Sequence, residues 1–325
     1  MRFTLLVVVL AATLAGCGGD SGPAPPADAD TDVDADTDVD ADTDVDSDSD
    51  SDTGTGEDCA RVWEFRSGEA TIAGGDQEYR CTTHEVPAGM GGAAVRMSMA
   101  VPEEDESIIH HLVLMRGDNP GFAGCTGAEI FNPIVFAGGL GTDPLILPAG
   151  VGLPVAEGTS FLMQLHVTNA TDEAVTYDVG VDLCIVDSTA ENADVITFGP
   201  TSFTIPDDGE EHTEYDDTCA IDGSRTFFAA YPHMHQLGRR IELGIDGDVW
   251  AAVPEWDFSD QPTVHPDPPV VGTDGQSLTV SCTWVNPPGN GDVRWGTETQ
   301  DEMCFGFAYY YPSGLDRWCA DIPGF

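Results

Sequence analysis

Between residues 59 and 325 the chain is written in short runs of β-branched and aromatic residues, each closed by Gly, Pro, Asp or Asn. Residues 94–99, 108–115, 160–167, 174–186 and 305–311 are such runs, and no stretch sustains a helical period. Runs of this length between turn residues predict strands, and their regular spacing predicts an all-β sandwich architecture. The region is long enough, at about 270 residues, for two domains. A seam is expected at 188–197, after the strand-forming run that ends at Val186, which divides the region into residues 59–190 and 191–325.

The segment upstream cannot contribute to that core. Arg2 precedes an apolar run from Phe3 to Leu14, followed by Leu14-Ala15-Gly16-Cys17. A basic residue, a short apolar core and small residues before a cleavage point make a secretory signal over residues 1–16, too short to span a bilayer as a helix. The tetrapeptide resembles a bacterial lipobox, which implies lipidation of Cys17. With Gly18 next, this points to a lipid-anchored protein of the bacterial cell envelope, at the outer membrane or cell surface. Asp then occupies every even position from Asp28 to Asp52. Self-repulsion and the lack of large apolar residues make 17–58 an extended tether; weak calcium binding is the lesser alternative, because the spacing is not that of an EF-hand loop.

Acidity extends beyond the tether. The chain carries 58 acidic and 11 basic residues, all arginine, for a formal charge of −47. Phosphate binding needs a basic face, so nucleic acid is excluded as a partner, and no partner protein is inferred. Eight cysteines remain after Cys17: Cys59, Cys81, Cys125, Cys184, Cys219, Cys282, Cys304 and Cys319. An even number in an exported chain argues for disulfides, and the lack of a Cys-x-x-Cys pair argues against a structural zinc site.

Chemistry concentrates in four stretches: His110-His111, Gln164-Leu165-His166, His233-Met234-His235 and Asp301-Glu302-Met303-Cys304. His233 and His235, two apart on an extended strand, point to one face and can share one metal. His110 and His111 are adjacent, so sharing a metal requires a bulge, a twist or a strand end. His166 lies in an apolar run with Gln164 on the same face. Met303 has no local spacing that assigns it, and a lone methionine is ordinarily core filler. Imidazole and thioether donors suit copper, with methionine favouring Cu(I). Spacing alone supports metal binding and goes no further. His84, His212 and His265 fall outside these stretches and are expected on the surface or in loops. Asn169-Ala170-Thr171 matches a glycosylation sequon without meaning in a lipobox-bearing chain.

Taken in order, these stretches resemble the four ligand motifs of the copper type II, ascorbate-dependent monooxygenases, and the resemblance runs over residues 59–325. It implies two antiparallel, jelly-roll-like β-sandwich domains facing each other across a solvent-filled cleft, with two copper ions and ascorbate or an equivalent reductant. His110, His111 and His166 would hold the electron-supplying copper, with Gln164 supporting them. His233, His235 and Met303 would hold the copper that handles dioxygen, and are the catalytic set. The family's cysteine pattern implies Cys81–Cys125, Cys219–Cys319 and Cys282–Cys304, leaving Cys59–Cys184; Arg116 stands near the place of a further family cysteine.

The implied activity is hydroxylation of a C–H bond by dioxygen. The peptide-amidating members use an arginine where this chain has Tyr231, an asparagine where it has Phe305 and a tyrosine where it has Phe307. The anchors for a glycine-extended peptide are therefore missing. Tyr231, Phe305, Phe307 and Tyr309 would instead line an apolar cleft for a small aromatic or hydrophobic substrate, or serve as sandwich core. Two other functions stay open at this level: a non-catalytic copper-binding or electron-transfer lipoprotein, and a surface adhesion module.

Overall fold

Strand follows strand along the whole described chain, and no α-helix forms among the described residues. The structure, a computed structural model, describes residues 59–102, 108–117, 125, 132–139, 142–297, 300–315 and 318–319. The signal segment, Cys17 and the Asp-rich tether lie outside the described residues.

Glu191–Asn192 lies past the expected division at residue 190 yet pairs with Val151–Val155; the other strands keep to one side of it. Before residue 193, one sheet runs Arg61–Arg66, Gly180–Val186, Gly92–Ala100, Val151–Val155 and Glu191–Asn192, with Leu145–Ile146 also on Gly92–Ala100. A second runs Gln77–Glu85, Ser160–Thr168, Ile109–Arg116 and Ile134–Gly139. Side chains from both, such as Phe65, Met97, Leu112, Leu165 and Leu183, share one buried core. After residue 193, the sheet Val270–Gly272, Arg225–Met234, Cys304–Tyr311, Asp194–Phe198 and Trp318–Cys319 packs on the sheet Glu211–Ala220, Ser277–Val285, Gly238–Ile245 and Asp248–Val253. The pairings within the four sheets are antiparallel except at two short strands, Glu191–Asn192 and Trp318–Cys319. Glu211–Ala220 is an edge strand, and its exposed positions are mostly acidic or polar, which discourages edge-to-edge pairing.

The strand Cys304–Tyr311 shows why its sequence is apolar throughout. Cys304, Ala308 and Tyr310 pack into the second core, whereas Phe305, Phe307 and Tyr309 pack with the first. Period-two alternation therefore sends the two faces of one strand into two different cores. Phe228 and Tyr231, on the paired Arg225–Met234 strand, join the first core in the same way. These aromatics form a buried seam between the two halves, not the lining of a solvent-filled cleft. Among the described residues four disulfides staple the sheets: Cys81–Cys125, Cys219–Cys319 and Cys282–Cys304, the pairs the family pattern implies, and Cys59–Cys184, the pair left over.

Candidate metal centres

His110, His111 and His166 come together on two paired strands. The ladder between Ile109–Arg116 and Ser160–Thr168 slips one residue between Ile109 and His111, and His111 then pairs with His166. That bulge is what adjacent histidines need to turn toward one point. The ligand nitrogens of the three lie within 4.8 Å of one another. His110 Nδ1 and His111 Nδ1 are 3.1 Å apart, close enough to share one proton or one cation. His166 is 1 % exposed, and among the described residues neither of its ring nitrogens has a hydrogen-bond partner. Burying a polar group without a partner costs about 1–3 kcal/mol. A metal at this point would take up the one lone pair of the neutral ring, so the residues fit a cation site.

Burial also keeps these rings neutral, the state in which imidazole donates to a metal. It pushes His166 down to about 4, with His110 adding to the effect. His110 is lowered by burial. His111 is held well below its ordinary value by burial, then by His166, His110, His233 and His235. The last two partners belong to the other half, so the two histidine sets lie within electrostatic reach of each other. Across the ladder from His166, the Tyr79 ring stacks on the imidazole at 4.1 Å and covers it. Gln164 is buried two residues along the strand, on the same face as His166.

The second set is built by register. Met234 pairs with Cys304 and His233 with Phe305. Continuing that antiparallel ladder by one step sets His235 opposite Met303, with His233 and His235 on one face. This face is the one turned toward the first half, since Tyr231, Phe305 and Met303 all belong to the first core. The His233 and His235 ring centroids are 5.2 Å apart. Met303 is buried, and the disulfide Cys282–Cys304 anchors the next residue.

Hydrogen bonds fix which nitrogen of each ring is free. The Gln261 amide donates through Nε2 to the Phe258 carbonyl at 2.9 Å, which turns its Oε1 toward His233. That oxygen accepts from His233 Nδ1 at 2.8 Å and from the Tyr231 hydroxyl at 3.0 Å. His235 Nδ1 donates to the Asp301 carbonyl at 2.9 Å. Both protons therefore sit on Nδ1, and both Nε2 lone pairs remain for a metal. Burial, with His235 adding to it, pushes His233 down to about 3, and burial lowers His235.

The loop that carries Gln261 also holds the space between the sets. The Phe258 ring lies 4.5 Å from the His110 ring and 6.2 Å from that of His235. Two residues back, the Trp256 indole N–H donates to the His235 carbonyl at 3.0 Å. Beneath Met303, the Glu302 carboxylate is almost fully buried. It accepts from the His235 and Leu237 backbone and from the Trp284 indole, at 3.1, 2.6 and 2.9 Å. Gly296 is required by close approach, because a Cβ there would run into the Asp301 carboxylate.

His110, His111 and His166 thus come together, His233 and His235 share one face, and the register sets Met303 opposite His235. The aromatics expected at the substrate do not line open space: Tyr231, Phe305 and Phe307 are 3, 2 and 6 % exposed, packed between the halves. His84 and His212, expected on the surface or in loops, are partly buried strand residues, His84 against Phe65 and His212 bonded to Asp208. His265 is exposed in a loop. The sequence reading did not pick out Tyr79, Trp256, Phe258 or Gln261, nor assign Glu302 a role. Residues 191–322, which hold the whole imidazole–thioether set, match the family model described as copper type II ascorbate-dependent monooxygenase, C-terminal domain.

Proposed function

Starting from residues 191–322 as a copper type II ascorbate-dependent monooxygenase C-terminal domain, we propose that the chain is a copper monooxygenase with two copper sites. It would insert one atom of dioxygen into a C–H bond of a small aromatic or apolar substrate. The second oxygen atom leaves as water, with two electrons and two protons drawn from ascorbate or an equivalent reductant. The observation that carries this reading is the pairing of two facing donor sets of different chemistry, His110–His111–His166 and His233–His235–Met303. Copper held there supplies one-electron chemistry with dioxygen, for which imidazole and thioether donors are suited.

The chain's own part is to hold and shield. Gln261 Oε1 and the Asp301 carbonyl present His233 and His235 through Nε2. Phe258, partly exposed between the sets, offers an apolar wall to a substrate and keeps water from the space it fills. Lipidation at Cys17 and the Asp-rich tether would hold this enzyme at a bacterial envelope surface. The test is oxygen consumption with ascorbate and Cu(II), screened over phenethylamines, aromatic acids and peptides, with copper measured in parallel. Two coppers per chain and substrate-dependent uptake are expected. Two coppers without uptake for any reductant and substrate would favour a copper-storing or electron-transfer protein, and no copper would end the reading.

A further inference from the structure

A carboxylate buried without a cation is costly, by several kcal/mol in a protein interior, and an apolar residue of the same size would fill the space at less cost. Glu302 is such a group: it is 1 % exposed, and among the described residues no Arg or His cation pairs with it. What it has instead is a shell of N–H donors from separate segments. Oε2 accepts from the His235 backbone at 3.1 Å and from Trp284 Nε1 at 2.9 Å, and Oε1 accepts from the Leu237 backbone at 2.6 Å. The Glu302 backbone is itself held on both sides, donating to the Arg294 carbonyl at 3.0 Å and accepting from Gly296 at 3.2 Å.

These bonds have a direction. His235 is bonded through its backbone to Glu302 and through Nδ1 to the Asp301 carbonyl, and the ladder sets it opposite Met303. Three consecutive residues, Asp301, Glu302 and Met303, thus meet one histidine. Trp284, on the neighbouring Ser277–Val285 strand two residues beyond Cys282, braces the carboxylate from behind. A thioether is a weak metal ligand on a flexible side chain, so its reach depends on where the backbone holds it.

We propose that Glu302 is a positioning residue whose buried carboxylate ties His235 to Met303 and so fixes the thioether at the second copper set. The proposal rests on the assignment of that set as a copper site. Oε1 and Oε2 both accept N–H bonds, from three donors in all, and neither an amide nor an alkyl group can accept at both positions. Glu302→Gln keeps the size and replaces one acceptor oxygen by a donor that meets N–H groups.

The test loads wild type and Glu302→Gln with copper, reduces both, and counts sulfur scatterers by X-ray absorption alongside copper stoichiometry and a Cu(I) competition titration. Wild type is expected to show one sulfur per two coppers. The variant should keep the three-imidazole copper, lose at least half of the sulfur signal, and bind Cu(I) at the second set about 10–100-fold more weakly. Should Glu302→Gln not fold, Trp284→Phe, which removes one donor and leaves the carboxylate on the others, should show the same losses in part. A folded variant with the wild-type sulfur signal and affinity overturns the proposal. Wild type without copper, or with copper and no sulfur, would instead overturn the ligand assignment beneath it.

Discussion

Gln261 Oε1 and His233 Nδ1 lie 2.8 Å apart, 28 residues distant in sequence, and this one bond decides which side of the imidazole faces the metal set. The oxygen is committed, since the same amide donates to the Phe258 carbonyl. Replacing Gln261 by Ala frees the ring to rotate and leaves the Tyr231 hydroxyl unpaired inside the protein. Copper affinity at the second set should fall about 10–100-fold while the three-imidazole set keeps its affinity. Stepwise copper titration distinguishes the two sets, and equal weakening of both would count against this role.

Met303→Leu separates ligand from filler. Leucine has nearly the volume of methionine, so the substitution should cost under about 1.5 kcal/mol of stability. It removes the sulfur, however, and with it the preference for Cu(I). Ascorbate-dependent oxygen uptake should drop at least about tenfold, while the Cu(II) paramagnetic signal of the three-imidazole set stays. Unchanged uptake by a folded Leu variant would return Met303 to the core.

The lowered histidines make the metal-free protein sensitive to acid. In the unfolded chain each takes a proton near pH 6.5, whereas His166 does so at about 4 and His233 at about 3 in the fold. Between those values the unfolded state binds more protons. Their contribution to stability is therefore complete above about pH 6.5 and declines as pH falls toward 4 and 3. Glu302, raised by burial to about 7, works the other way: below that pH the fold keeps a proton that the unfolded chain releases until well into the acid range. The histidine effect is best read as a difference. His166→Asn should lose less stability than wild type between pH 7 and pH 5, measured by urea midpoints on metal-free protein. Parallel curves would contradict it.

How much of this was legible in the sequence varied with the range of the contact. Strand content followed from local runs, and the need for a bulge at His110–His111 followed from adjacency alone; the ladder slip after Ile109 supplies it. Met303 was silent to local spacing and entered through the family resemblance alone, because its place opposite His235 is a matter of register between strands some 70 residues apart. Gln261 and Phe258 sit in a loop with no periodic signal. Tyr231, Phe305 and Phe307 read equally as cleft lining or as sandwich core, because only their apolar character was visible. Their partner was not: the second face of the Cys304–Tyr311 strand packs on the other half of the molecule.

On the proposed monooxygenase reading, and with those three aromatics buried, Phe258 is the residue through which substrate preference should be alterable. Its ring touches both histidine sets yet remains partly exposed, and its backbone carbonyl, not its side chain, holds Gln261. Phe258→Ala should therefore leave both copper sets loaded and the His233 ring in place. An aromatic contact is worth about 0.5–1.5 kcal/mol beyond the area it covers. KM for a phenethylamine probe should accordingly rise about fivefold to tenfold, with a smaller change for a short aliphatic amine and little change in kcat. Were KM to rise equally for both probes, the ring would be acting on the site as a whole and not as the wall that meets an aromatic substrate.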